Sequence, residues 1–130
     1  MNAVWIVDDD RSIRWVLEKA LTREEIPYKS FGAAAEVLAA LEGTTQPPQV
    51  LVSDIRMPGE SGLSLLSKVK ARFPHIPVII MTAFSDLDSA VSAFQGGAFE
   101  YLPKPFDVDQ AVDLVRRAIE RSAHRTGLVG

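Results

Sequence analysis

Five times along the chain a short apolar run gives way to an amphipathic stretch. Strand followed by helix, repeated, is the pattern of βαβ units, whose crossovers cover a parallel sheet on both faces and leave its strands apolar throughout. The runs predict strands over 4–7, 28–31, 50–54, 78–82 and 99–102, the second being the weakest because Lys29 and Ser30 interrupt it. Between them apolar residues recur at helical spacing: Ile13, Leu17 and Leu21; Val37, Leu38 and Leu41; Leu66, Val69 and Phe73; Leu87, Val91 and Phe94; and Val108, Val112, Val115 and Ile119. Ser85 with Asp88 reads as a capping box, Asp107 as an N-cap, and Gly43 and Gly96 or Gly97 as helix stops. Right-handed crossovers make a doubly wound five-stranded parallel sheet of order 2-1-3-4-5 the expected topology. Such sheets bind ligands beyond the carboxyl ends of their strands, where the winding reverses, so the ends of strands one and three should hold the site.

Composition removes several other classes. The 130 residues make one domain; 47% hydrophobic and 24% charged residues exclude a disordered or fibrous chain. There is no cysteine for a disulfide or thiol nucleophile, and His75 and His124 are too few for a zinc site. A net charge of −3 gives no footprint for direct nucleic-acid contact. No apolar run is long enough for a membrane span, and the N-terminus lacks the regions of a signal peptide, so a cytoplasmic protein is expected. The domain is read as residues 1–121, with 122–130, where the apolar stripe is lost, as a tail or the start of an interdomain linker.

Strand one runs into Asp8, Asp9 and Asp10, and strand three ends in Asp54. Like charges about 4 Å apart repel by roughly 1 kcal/mol in water and about 4 kcal/mol at an effective dielectric of 20, so the cluster calls for protonation or a cation. Oxygen donors of this kind suit Mg2+, or Mn2+ in its place. The alternative is that Asp10 caps the first helix while the others are solvated. Thr82 and Ala83 end strand four, and Lys104 stands between Pro103 and Pro105 after strand five; one X-Pro bond here could be cis. A hydroxyl and an ammonium joined to these acids suit phosphoryl transfer with an aspartate as nucleophile. Individually, Lys104 reads equally as a solvated lysine and Thr82 as a strand threonine. In the turn Arg56-Met57-Pro58-Gly59 the Arg56 carbonyl is a further candidate metal ligand.

Together these residues resemble the receiver domain of two-component response regulators, a flavodoxin-like (CheY-like) fold. The likeness runs from about residue 3 to residue 121, and the stretches VDDDRSIRWVLEKAL, SDIRMPGESGL, PVIIMTAFSDLDSAVSAFQGGAF and YLPKPFD are similar to the nitrogen regulatory protein C (NtrC) class of sigma-54-dependent transcriptional activators. The resemblance implies Asp54 as phosphoacceptor, Asp9 and Asp10 as the acidic pair holding Mg2+ with Asp54 and the Arg56 carbonyl, and Thr82, the Ala83 backbone and Lys104 as phosphate-binding and switch groups. It implies phosphoryl transfer from a sensor histidine kinase (NtrB-like), self-catalysed hydrolysis, and Tyr101 as a switch aromatic, for which a plain core aromatic is the alternative. Ser85, Asp86, Leu87, Asp88, Val91, Phe99 and Tyr101 would form an output face of the fourth helix, fifth strand and fifth helix. That face would address a sigma-54-interacting ATPase domain absent from this chain, with homodimer formation on phosphorylation as a further expectation. The chain departs from the family at Phe84, where relatives often carry histidine. It departs again in a second glycine at 96–97, which should weaken the end of the fourth helix by about 0.5 to 1 kcal/mol relative to alanine.

Three other readings compete. Asp8-Asp9-Asp10-Arg11-Ser12 also resembles the nucleophile loop of haloacid dehalogenase-type phosphatases, with Asp8 attacking and Asp10 as acid; the chain lacks room for that family's cap, and Asp54 would have no role. A flavin module of this topology needs a donor-rich first loop, which three aspartates would spoil. A degenerate receiver that only docks would share the fold, but nothing in the intact set favours it.

Overall fold

The computed structural model describes residues 3–83 and 85–127. Strands and helices alternate throughout: β1 (Val4–Val7), α1 (Arg11–Arg23), β2 (Tyr28–Phe31), α2 (Ala34–Gly43), β3 (Val50–Asp54), α3 (Gly62–Arg72), β4 (Val78–Ala83), α4 (Leu87–Gln95), β5 (Glu100–Lys104) and α5 (Val108–Gly127). All four pairings are parallel and the strand order is β2-β1-β3-β4-β5, as the sequence pattern predicts.

Because successive strand residues point to opposite faces, the apolar runs supply two cores at once. On one face Trp5, Val7, Leu51, Val78 and Ile80 pack with Val37 and Leu41 of α2 and Leu65, Leu66 and Val69 of α3. On the other, Val4, Ile6, Val52, Ile79, Met81 and Leu102 pack with Leu17 and Leu21 of α1 and Leu114, Val115 and Ala118 of α5. Each fully buried Val, Leu or Ile contributes about 1.5–3 kcal/mol. α4 is packed differently, burying only Ala90 and Ala93.

β2 forms where the pattern predicts it, at 28–31, and sequence and structure part in three other places. β2 tolerates Lys29 and Ser30 because it is an edge strand: the Lys29 ammonium lies 5.4 Å from the Phe31 ring centre, and the Ser30 hydroxyl donates to Glu18. β5 starts one residue later than the pattern suggests, with the Phe99 N–H just before it already reaching the Val78 carbonyl of β4, and runs on to Lys104 because Pro103 and Lys104 pair with Thr82 and Ala83. The cap of α4 is Asp86, not Ser85: its carboxylate accepts from the Ser89 N–H at 3.4 Å. α5 continues through 122–127, with Ser122 buried, where the sequence reading places a tail.

Gly97 lies outside α4 with φ 99°, its N–H donating to the Phe94 carbonyl while the Ala98 N–H reaches Ala93. This is a Schellman close, so the second glycine ends the helix rather than weakening it. Phe84 lies outside the described residues.

Candidate functional site

Parallel strands bring their carboxyl ends to one edge of the sheet, and the polar residues read from the sequence meet there. Asp8 follows β1 and is fully buried, its N–H still paired to the Phe31 carbonyl of β2 at 3.2 Å. One of its carboxylate oxygens accepts from the Asp10 N–H at 2.8 Å and the other from the Lys104 ammonium at 2.9 Å. Arg14 donates to the Asp8 carbonyl at 2.5 Å, fixing the loop from behind. Asp54 closes β3; its Oδ1 also accepts from Lys104 Nζ at 2.9 Å, and its side chain stays 10% exposed. A single ammonium thus bridges two carboxylates from different strands.

Asp8, Asp9 and Asp54 each offer an oxygen, all within 4.8 Å of one another. This corrects the acidic pair read from the sequence, which takes Asp9 and Asp10. Asp10 is instead the N-cap of α1, its carboxylate accepting from the Ser12 N–H at 2.8 Å. The physical reason is that the first turn of a helix leaves N–H groups without partners, and the acid immediately before the turn satisfies one of them. The signal was present in the sequence as an acid directly preceding the first helical residue.

Burial, assisted by the Asp54 charge, raises the Asp8 pKa above its ordinary 3.8, against the opposing hydrogen bonds from Asp10 and Lys104. For Lys104, burial works against the ammonium, but hydrogen bonds and charges from Asp8 and Asp54 outweigh it and its pKa is raised from 10.5. Three carboxylates against one lysine leave a charge of about −2, which the oxygen donor set would offset with a hard divalent ion. The arrangement also weakens the phosphatase reading: both acids are salt-bridged to Lys104, but the Asp8 side chain is sealed from solvent while that of Asp54 keeps 10% of its surface exposed.

Thr82, at the end of β4, is 1% exposed, and its Oγ1 is a buried side-chain oxygen with no hydrogen-bond partner among the described residues. A buried hydroxyl left unpaired costs about 1–3 kcal/mol, so the site stores an unmet hydrogen bond beside the acids. Ala83 is exposed and its carbonyl accepts from the Asp86 N–H at 2.9 Å. The Lys104–Pro105 bond is cis.

Gly62 is a site residue that the sequence reading missed. Its N–H donates to the Ile55 carbonyl at 2.8 Å, and a Cβ there would lie 2.1 Å from the Asp54 carbonyl oxygen. Only glycine lets α3 start this close behind the acid. The sequence signal is slight: a glycine after Ser61, the N-cap of α3.

Arg56 holds its guanidinium against Asp86, and its carbonyl lies in the turn that leaves Asp54. Tyr101 is half-buried and meets Phe94 edge-on, ring centres 5.7 Å apart at 89°. Ser85, Leu87, Asp88 and Val91 are exposed around the start of α4, and Asp86 is half-buried there. Phe99 sits apart from them, before β5, half-buried against the second core.

A doubly wound sheet with three acids, a lysine and a buried hydroxyl at its carboxyl edge defines a receiver, and the pattern of the response regulator receiver domain matches residues 4–116. The chain belongs to that family. It is 65% identical over 115 residues, 88% of its length, to the DNA-binding transcriptional regulator NtrC of Klebsiella pneumoniae, and spans 24% of that relative. It is also similar to the solution structure of the apo receiver domain of nitrogen regulatory protein C, with TM-score 0.83 and 59% identity, covering 95% of this chain and 100% of that one. The BeF3-activated form of that domain gives TM-score 0.79 and 61% identity, covering 94% and 97%. Among the described residues no helix is long and apolar enough to cross a membrane.

Proposed function

We propose that the chain is the phosphoacceptor module of a sigma-54-dependent transcriptional activator in nitrogen regulation, taking a phosphoryl group from a sensor histidine kinase onto Asp54. In the transfer an Asp54 carboxylate oxygen forms the new O–P bond, the P–N bond to the kinase histidine breaks, and the departing imidazole leaves with the electron pair and takes up a proton. Asp8, Asp9, Asp54 and the Arg56 carbonyl would hold Mg2+, or Mn2+, whose charge when bound offsets that of the phosphoryl oxygens. Lys104, now shared between Asp8 and Asp54, is 2.9 Å from both and can turn its ammonium onto the incoming oxygens. The unpartnered Thr82 hydroxyl carries the reading: a phosphoryl oxygen on Asp54 would supply the acceptor it lacks, with the Ala83 backbone beside it.

Meeting that acceptor would draw the end of β4 toward Asp54 and loosen its hold on the Asp86 N–H through Ala83. The start of α4 and the Phe94–Tyr101 contact would then shift, resetting the α4–β5–α5 face for an ATPase domain or a second phosphorylated copy. The module is regulatory, its only chemistry being acceptance of the phosphoryl group and its self-catalysed hydrolysis, and DNA contact would fall to another domain of a cytoplasmic protein.

The test is intact mass after incubation with acetyl phosphate and Mg2+. A metal-dependent phosphoryl adduct on wild type and none on Asp54→Asn is expected. Absence of adduct from acetyl phosphate and from a kinase alike would leave a docking-only receiver, and an adduct on the variant would return the nucleophile to Asp8.

A further inference from the structure

Arg14 is the fourth residue of α1, near the positive end of the helix dipole, so the helix itself offers its charge nothing. The contact that holds it lies outside the helix. The half-buried guanidinium passes Gly32, where a Cβ would lie 3.7 Å from Nη1, and that nitrogen donates to the Asp8 carbonyl at 2.5 Å. The Arg14 backbone N–H donates to the Asp10 carbonyl at 3.2 Å, and the Asp10 N–H is taken by the Asp8 carboxylate at 2.8 Å. The peptide unit before Asp9 is thus held by Arg14 and the one after it by Asp8.

The Asp9 side chain differs from its partners in the acidic cluster. Asp8 and Asp54 are each fixed by Lys104 at 2.9 Å, whereas Asp9 is exposed and its carboxylate makes no hydrogen bond or ion pair among the described residues. The backbone alone therefore aims the third oxygen of the cluster. We infer that Arg14 is a positioning residue for the divalent cation: by fixing the Asp8–Asp9 peptide unit it aims the Asp9 carboxylate and favours Mg2+ over a larger ion such as Ca2+, a role that rests on Asp8, Asp9 and Asp54 being the metal's seat.

Mg2+ demands near-octahedral oxygens at about 2.0–2.1 Å, whereas Ca2+ accepts six to eight at about 2.3–2.6 Å in looser arrangements. Loosening one carboxylate should accordingly cost Mg2+ more than Ca2+. Charge acts with the opposite sign. The guanidinium is a positive charge beside the acids, so its loss would by Coulomb attraction alone tighten the hold on any cation. The direction of the change separates positioning from electrostatics.

The test is a 1H–15N NMR titration of wild type and Arg14→Met with MgCl2 and, separately, CaCl2, at fixed ionic strength and without a phosphodonor, read at the Asp9 and Asp54 amides. Arg14→Met keeps an unbranched stem but loses donor and charge; it should bind Mg2+ about tenfold more weakly, as when a group orienting a metal ligand is removed, and lose less affinity for Ca2+. Arg14→Lys, which keeps the charge and can still donate, should recover part of the Mg2+ loss. Unchanged or tighter Mg2+ binding by Arg14→Met, or an equal loss for the two ions, would overturn the role of Arg14. Wild-type protein that binds neither ion would overturn the metal seat itself. Should Arg14→Met fail to fold, Arg14→Lys carries the test: its preference for Mg2+ over Ca2+ should fall below that of wild type, and an unchanged preference would count against the role.

Discussion

Arg56 and Asp86 are joined across thirty positions of sequence, the guanidinium Nε and Nη2 each 2.9 Å from the same carboxylate oxygen. The contact ties the turn that leaves Asp54 to the cap of α4, so Asp86 serves two masters: its other oxygen accepts from the Ser89 N–H. The hydrogen bond with Ser89, with that from Arg56 in support, holds the Asp86 carboxyl below its ordinary 3.8 against an opposing effect of burial that outweighs the Arg56 bond alone. A carboxylate depressed in the folded state adds stability above its unfolded value and loses it as pH falls through the folded one. Amide protection in the first turn of α4, taken relative to the intrinsic exchange rate at each pH, should therefore drop as the pH falls below about 3.8, and Asp86→Ala should show the lower protection at neutral pH too. A protection factor at Ser89 that stays constant across that range would contradict the coupling.

Thr82→Val should stabilise the unphosphorylated domain by about 1 kcal/mol, because it removes a buried hydroxyl with no partner. The same change should leave phosphorylation of Asp54 intact while suppressing the amide shifts in α4 that accompany it. Denaturation midpoints and paired spectra before and after acetyl phosphate read both arms.

Lys104→Gln removes the one ammonium that bridges Asp8 and Asp54. Breaking a buried ion pair from one side typically costs about 3–5 kcal/mol, and protonation of Asp8, whose pKa is already raised, will relieve part of that. The variant should accordingly lose about 2–3 kcal/mol at neutral pH and less near pH 4. Mg2+ should raise its Tm by more than it raises that of wild type, since the acids are then more negative. Equal metal-induced shifts in the two proteins would argue against the cluster as the metal's seat.

Gly62→Ala places a methyl 2.1 Å from the Asp54 carbonyl oxygen, backbone against side chain with nowhere to turn. A loss of about 2–3 kcal/mol is expected, as for overpacking at a tight site, together with slowed phosphorylation as Asp54 is pushed out of place. A urea midpoint that falls with an unchanged slope, alongside intact-mass kinetics, would register both effects.

Periodicity made the sheet legible, because a doubly wound fold writes each strand as an apolar run and each helix as a stripe. Even so, β2 and β5 were blurred: an edge strand needs fewer apolar residues, and Pro103 and Lys104 in β5 look like loop residues until their pairing is seen. Asp54, Lys104 and Thr82 could be placed because strand ends are fixed by the runs before them. The choice between Asp8 and Asp10 was only half legible: an acid just before the helix marks Asp10 as a cap, but the pairing of Asp8 with Lys104, 96 positions away, leaves no local trace. Gly62 and the Arg56–Asp86 pair were invisible for a related reason: close approach and contacts between distant turns leave no periodic trace.

α4 holds the sheet by two alanine methyls, whereas α3 presses Leu65, Leu66 and Val69 into it. By the usual worth of a buried methylene, about 0.8 kcal/mol, the apolar attachment of α4 amounts to only a few kcal/mol, much less than that of its neighbour. Meanwhile Leu87 and Val91 stand exposed on its outer side, and Phe94, itself largely exposed, adds only an edge-on contact with Tyr101. The helix is thus built as a loosely hinged latch, and its grip is of the same order as the one or two hydrogen bonds a single phosphoryl group can make. A domain of this size can therefore be thrown from one surface to another by the chemistry of one side chain without unpacking either core.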